Sequence, residues 1–186
     1  DNEPILNVYD TPGLEDSRAL HAHIKKLQAK SRLLLPAQVL EHFVTHVAVN
    51  DPLEQEAKVI RQVLRSDILL YIIDVREPFL EKYRLELDIL TQAAKPIVPV
   101  FNFIAGHPQE LAQWRQNLAA YNMHATLEFD TVAFTFEAEK RLYQKMQTLL
   151  ETYYTPLQKL IDYRAKLWNQ LCLSGSKRIA DLIVSV

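Results

Sequence analysis

The sequence has 186 residues, 48% apolar and 24% charged, the balance of a chain that folds around a core and not of a disordered one. Its 21 Lys and Arg stand against 23 Asp and Glu, which excludes the strongly basic surface of a general nucleic-acid binder. One cysteine, Cys172, excludes a disulfide framework, no apolar run reaches the ~18 residues of a membrane-spanning helix, and DNEPILNVYD reads unlike a signal peptide.

In chain order, residues 5–9 (ILNVY) read as a strand stopped by the turn Asp10-Thr11-Pro12-Gly13. Residues 17–30, 36–47 and 52–65 read as helices, the last with Asp51 as N-cap and Pro52 in its first turn. Residues 67–75 (DILLYIIDV) are apolar enough for a strand covered on both faces. A helix follows from Pro78, then a buried strand at 97–101, whose Pro99 must sit near its start or at a bulge. Pro108 opens another helix, 125–132 is a further strand, and 137–153 a helix with Leu142, Met146, Leu149 and Tyr153 inward. Strands alternating with helices predict an α/β domain with a mostly parallel sheet and helices on both faces, a three-layer arrangement. Beyond Thr155 the alternation stops, so a boundary is expected there, followed by helices at 156–173 and 176–184 separated by Ser174-Gly175.

Glycine usage bounds the chemistry. With only Gly13, Gly106 and Gly175, neither a phosphate-cradling G-x-x-x-x-G-K-[ST] loop nor a dinucleotide G-x-G-x-x-G can be written. In a parallel sheet ligands gather at the carboxyl ends of strands, here residues 10–13, Asp74, Asn102 and 131–133.

The apolar run ending in Asp-Thr-Pro-Gly resembles the third GTPase motif, D-x-x-G. There the carboxylate holds Mg²⁺ through water, and the glycine lets its backbone N–H approach the γ-phosphate. The blocks YDTPGLED, EQEAKVIRQ, YIIDVREP, KYRLELDIL, PVFNF, FDTVA and EKRLYQKM resemble, in order, a bacterial subfamily of Era/TrmE-like GTPases with a C-terminal helical domain of unknown function. The resemblance implies a P-loop NTPase-type domain over 1–155, starting at the family's third strand and lacking the first two strands and the phosphate loop, with 156–186 opening the helical domain. It implies GTP or GDP and Mg²⁺ as ligands, GTP hydrolysis by a longer polypeptide, a regulatory protein partner and a cytoplasmic location. Asp10 aligns with the Mg²⁺-side aspartate, Gly13 with the γ-phosphate glycine, Asn102 with the asparagine of the guanine loop, and Thr131 and Ala133 with the second base-contacting loop. The resemblance also implies that the strands ending at Asp10 and Asp74 flank a strand outside this chain. Three positions depart from the pattern. Phe103 replaces the base-loop lysine, Ala105 the guanine-pairing aspartate, and Leu14 the water-orienting glutamine of Ras-like enzymes.

Plainer readings stand beside these. Residues 10–13 can be an ordinary Pro-Gly bend, Asp74 a local backbone acceptor, and Asn102 a turn former. His42 and His46, four apart, have a zinc-compatible spacing without an evident third ligand, and packing or surface roles are the simpler reading. Cys172 reads as a small core residue, and Tyr153 and Tyr154 as one inward and one outward. Residues 156–186 carry five Lys/Arg against two Asp on apolar stripes, which suits packing helices or a peripheral contact with an anionic membrane. The rival to the GTPase reading is a nucleotide-fold relic acting in protein or membrane-surface interaction without catalysis.

Overall fold

Apolar periodicities of 3.6 and of 2 alternate along the chain, and the resulting fold is mixed α/β with a small parallel sheet. The computed structural model describes residues 5–31, 33–129 and 135–184. It divides into two compact units, Val8–Asp130 and a second formed by Thr131–Val186 with Asp1–Asn7. The division falls at 130/131, whereas the sequence alternation suggests 155.

In the first unit, α1 (Ser17–Lys30), α2 (Pro36–His46) and α3 (Glu54–Arg65) form a helical subcore. Leu20, Ile24, Val39, Leu40, Phe43, Ala57 and Ile60 are buried there, with Leu14 at its edge. Asp16 caps α1 by accepting the Ala19 N–H at 2.8 Å, and its own N–H donates to the buried Glu56 carboxylate at 3.0 Å. Asp51 accepts the Leu53 N–H in a turn that contains Pro52, so α3 begins at Glu54, two residues later than expected.

The sheet has the order β1-β2-β3, with β1 (Leu69–Asp74), β2 (Ile97–Asn102) and β3 (Leu127–Glu128) all parallel. Helix α4 (Glu81–Leu90) joins the first pair and α5 (Pro108–Ala119) the second. Ile73, Val75, Leu87, Phe101, Trp114 and Leu118 form the core of this part. Leu69 N–H donates to the Pro96 carbonyl and Val75 N–H to that of Asn102, so odd residues of β1 face β2. Odd residues of β2 face β3, as the Phe129 N–H bonded to the Phe101 carbonyl shows. The missing N–H of Pro99 therefore points at the β3 side, one residue before that ladder begins at Val100 opposite Leu127. No bulge is needed.

Two strand expectations are corrected. Residues 5–9 form no strand. They are irregular, with Ile5, Val8 and Tyr9 46%, 76% and 64% exposed, because an extended segment gains its ladder only from a neighbour and no described strand pairs with it. Among the described strands β1 lies at the edge of the sheet, and it is not covered on both faces: Leu70 is 36% and Ile72 61% exposed, and the N–H and C=O groups of those residues lie on the side away from β2.

In the second unit, α6 (Phe136–Leu149) packs on α7 (Tyr154–Val184). Helix α7 runs unbroken through Ser174 and Gly175, where the sequence suggests two helices. A mid-helix glycine costs only ~1 kcal/mol relative to Ala, too little to break a helix of this length. Cys172 is exposed and not a core residue, and Tyr153 and Tyr154 are both exposed. Leu149, expected inward, is 36% exposed, whereas Met146 is buried.

A buried clasp fixes this helix pair. The Glu139 carboxylate accepts from Arg164 Nε at 2.6 Å and Nη2 at 3.2 Å, from the Tyr143 hydroxyl at 2.9 Å and from Trp168 Nε1 at 3.2 Å. Burial alone would raise the Glu139 carboxyl, but the hydrogen bonds from Arg164, Tyr143 and Trp168 outweigh it and hold the group below 4.5. Since the folded value is the lower one, this stabilisation is present at neutral pH and is lost as pH falls below about 4.5 and through the folded value. Arg164→Met should destabilise the unit by about 3 kcal/mol by removing the counter-charge of a buried carboxylate, and Glu139→Leu/Arg164→Met should recover most of it. Urea unfolding followed by circular dichroism checks both, and Glu139→Gln should flatten the acid limb.

Candidate functional site

The carboxyl ends of β1 and β2 lie side by side, with Asp74 and Asn102 as register partners. This pair is what the sheet itself brings together. The Asp74 carboxylate serves its own loop: Oδ1 accepts the Arg76 N–H at 3.0 Å, and the two oxygens take the Arg76 guanidinium at 2.9 and 2.6 Å. These hydrogen bonds from Arg76 hold the Asp74 carboxyl below its ordinary value. The local-acceptor reading of Asp74 is therefore the observed one. With half of the Arg76 side chain in water, the ion pair itself adds little to stability.

Past β2 the chain turns sharply. Asn102 Oδ1 accepts the Phe103 N–H at 2.9 Å, and Phe103 takes a left-handed φ of 57°. Ile104 to His107 then close a turn in which Gly106, at φ 81°, occupies the position that favours glycine. The Arg76 guanidinium carbon lies 3.9 Å from the Phe103 ring centroid, a cation–π contact joining the two loops. Ala105 is exposed and offers no polar group.

The β1–α4 loop is anchored from below. Trp114, 1% exposed, donates its indole N–H to the Glu77 carbonyl at 2.8 Å and meets Phe79 and Tyr83 edge-on, each at 5.0 Å between centroids. Glu77 accepts from Tyr83 and Lys82, which hold its carboxyl low. Behind the loop, the Tyr71 hydroxyl donates to Glu86 at 2.7 Å, and burial pushes the Glu86 carboxyl up.

Asp10 and Gly13 are exposed, and no described strand end carries them. The chain immediately beyond Gly13 is held in place by the burial of Leu14 and the Asp16–Glu56 hydrogen bond. A Cβ added at Gly13 would meet nothing within 4 Å, and its φ is not in the left-handed region, so neither packing nor backbone demands glycine there. Thr131 and Ala133 lie outside the described residues. Two further residues escape sequence reasoning. Arg76 is one, although the Asp-x-Arg spacing signals a local pair, and His21, whose Nε2 lies 3.5 Å from Asp88 on α4, is the other. No helix among the described residues is long and apolar enough to cross a membrane.

Residues 115–186 match the family described as Domain of unknown function (DUF3482), a segment that begins inside α5 and includes α6 and α7. No curated protein and no solved structure matches the chain.

The left-handed Phe103 can be tested directly. Phe103→Gly and Phe103→Ala both lose the contact with Arg76, but only alanine keeps the steric cost of ~1–2 kcal/mol. After glycine's larger chain-entropy loss, Phe103→Gly should be the more stable variant by about 0.5–1 kcal/mol in chemical denaturation. Equal stability would show that Phe103 does not hold this conformation.

Proposed function

We propose that this chain is part of a nucleotide-binding protein of the Era/TrmE-like GTPase type, with a P-loop NTPase-type sheet, in which it supplies the metal-side motif and the base-side loop. The observation that carries the reading is the parallel pairing of β1 and β2, which aligns Asp74 with Asn102 at the ligand-prone edge while Asn102 ties its own loop. The D-T-P-G segment supports it, because Gly13 has open space around its Cα and no conformational need to be glycine. On this reading the triphosphate is held by a glycine-rich loop outside these 186 residues, since they cannot encode one.

Asp10 fits Mg²⁺ in one respect. It is an exposed oxygen ligand, and no group of three His, Cys, Asp or Glu among the described residues forms an all-protein cage. Mg²⁺ normally takes one or two carboxylates and completes its octahedron with water and phosphate. Asp10 would hold the ion, which would neutralise charge on the transferring phosphoryl group. Guanine selectivity is weakened on the same reading, because Ala105 has no carboxylate and the Phe103 ring is engaged with Arg76.

A second reading, an interaction module without catalysis, is favoured by α7. Leu171 and Leu173 are 57% and 71% exposed on the same helix as the exposed Lys177 and Arg178. Such a helix suits a protein or an anionic membrane surface.

Gly13→Ala separates the two. It should leave the unfolding free energy of the 186-residue chain unchanged within about 0.5 kcal/mol. In the complete protein, Gly13→Ala and Asp10→Ala should each slow Mg²⁺-dependent GTP hydrolysis by at least about tenfold, a loss of roughly 1.4 kcal/mol of transition-state stabilisation. Base discrimination should be unaffected. Hydrolysis at the parent rate in both variants would leave the interaction module as the standing reading. The 186-residue chain alone should show no micromolar binding of Mg-GTP by calorimetry.

A further inference from the structure

Helix α2 carries two exposed imidazoles one turn apart, His42 and His46. Their rings lie nearly parallel, 16° between planes and 4.0 Å between centroids. His46 Nδ1 is 2.8 Å from the His42 carbonyl oxygen. A carbonyl only accepts, so Nδ1 carries the proton and the lone pair of the neutral ring sits on Nε2. Metal-bound histidines are commonly oriented in this way, one ring nitrogen donating to a backbone carbonyl and the other left for the ion. Other histidines of this unit have structural company: His23 meets the Phe43 ring at 5.4 Å and His21 faces Asp88. His42 and His46 stack on each other instead. They also occupy the last turns of α2, where the negative end of the helix dipole favours a cation.

We propose that His42 and His46 form a two-imidazole chelate for a borderline divalent cation of the zinc or copper class. Imidazole nitrogen suits these ions and not Mg²⁺ or Ca²⁺, which take oxygen. Ions bound at ~2.0–2.1 Å need the two Nε2 atoms to converge from the stacked rings, a rotation that exposed side chains are free to make. No third His, Cys, Asp or Glu joins the pair among the described residues, so water completes the shell and the ion exchanges freely. The site is independent of Asp10 and of the nucleotide reading. It differs from a closed structural zinc centre, which uses four protein ligands.

The test is competition between the 186-residue chain and a chromophoric chelator of known affinity, titrated with ZnCl₂ and separately with CuCl₂. Parent, His42→Ala, His46→Ala and the double variant are compared, with circular dichroism confirming that each keeps its helix content. One equivalent of either ion should bind the parent. Affinity should fall at least about tenfold in each single variant, and MgCl₂ should not compete. ZnCl₂ should raise the thermal midpoint of the parent more than that of the double variant, because a ligand of the folded state stabilises it by mass action. Parent affinity within twofold of the double variant overturns the chelate, as does a loss that follows only one of the two histidines.

Discussion

The carboxyl edge of the sheet depends on Trp114. Its indole N–H fixes the Glu77 carbonyl, and its ring takes Phe79 and Tyr83 edge-on, so the whole β1–α4 loop is pinned to the buried face of α5. A loop carries backbone groups that a core cannot satisfy, and it usually runs loose over the surface. Here one buried donor meets one of those carbonyls, and the aromatic cluster supplies the apolar contact. The position of Arg76, and through it the contact with Phe103, follows from that anchorage. The arrangement above the paired strand ends therefore rests on a buried residue of α5 that grips the β1–α4 loop at Glu77 and Phe79.

Much of this fold is legible in the residues alone, and the failures have physical causes. Helix α1 is legible to the residue because Ser17 follows a capping Asp16 and the apolar stripe repeats through Leu27. The strands β1 and β2 are legible because short runs rich in Ile, Leu and Val with an aromatic residue leave few alternatives at that length, even with Pro99 inside the second. Residues 5–9 have the same local character and form no strand, since pairing is a property of the neighbour and not of the segment. The same limit explains β1, whose composition suggests two covered faces and whose open edge leaves Ile72 in water. The expected break at Ser174-Gly175 rests on glycine propensity, a preference of ~1 kcal/mol that a long helix overrides. Of the candidate site, Asp74 and Asn102 are visible as strand ends, but the Arg76–Phe103 contact joins residues on different loops and leaves no periodic trace. The Glu139 clasp, spanning 25 residues between two helices, is invisible for the same reason.

The loop after β2 holds a tension between conformation and chemistry. A bulky residue at φ 57° is costly, yet Phe103 is kept there by the Asn102 side chain on one side and the Arg76 guanidinium on the other. Arg76 in turn is held by Asp74, so three charged or aromatic groups at the strand ends satisfy one another. A ligand entering at this edge would meet a surface already occupied by its own contacts. Strong binding there requires groups from elsewhere, whether a phosphate-holding loop or a partner surface.

The continuity of α7 has a mechanical consequence. At 1.5 Å per residue its 31 residues make a rod about 46 Å long. The Glu139 clasp ends at Trp168, leaving roughly 24 Å of helix to Val184 beyond it. An unbroken helix cannot absorb a displacement locally as a hinge would. A tilt of about 5° at the clasp therefore moves the far end by about 2 Å, more than the ~1.5 Å rise of one residue. Whatever grips the distal turns of α7 pulls directly on the Arg164–Glu139 pair, which makes that buried carboxylate the fulcrum of the helix.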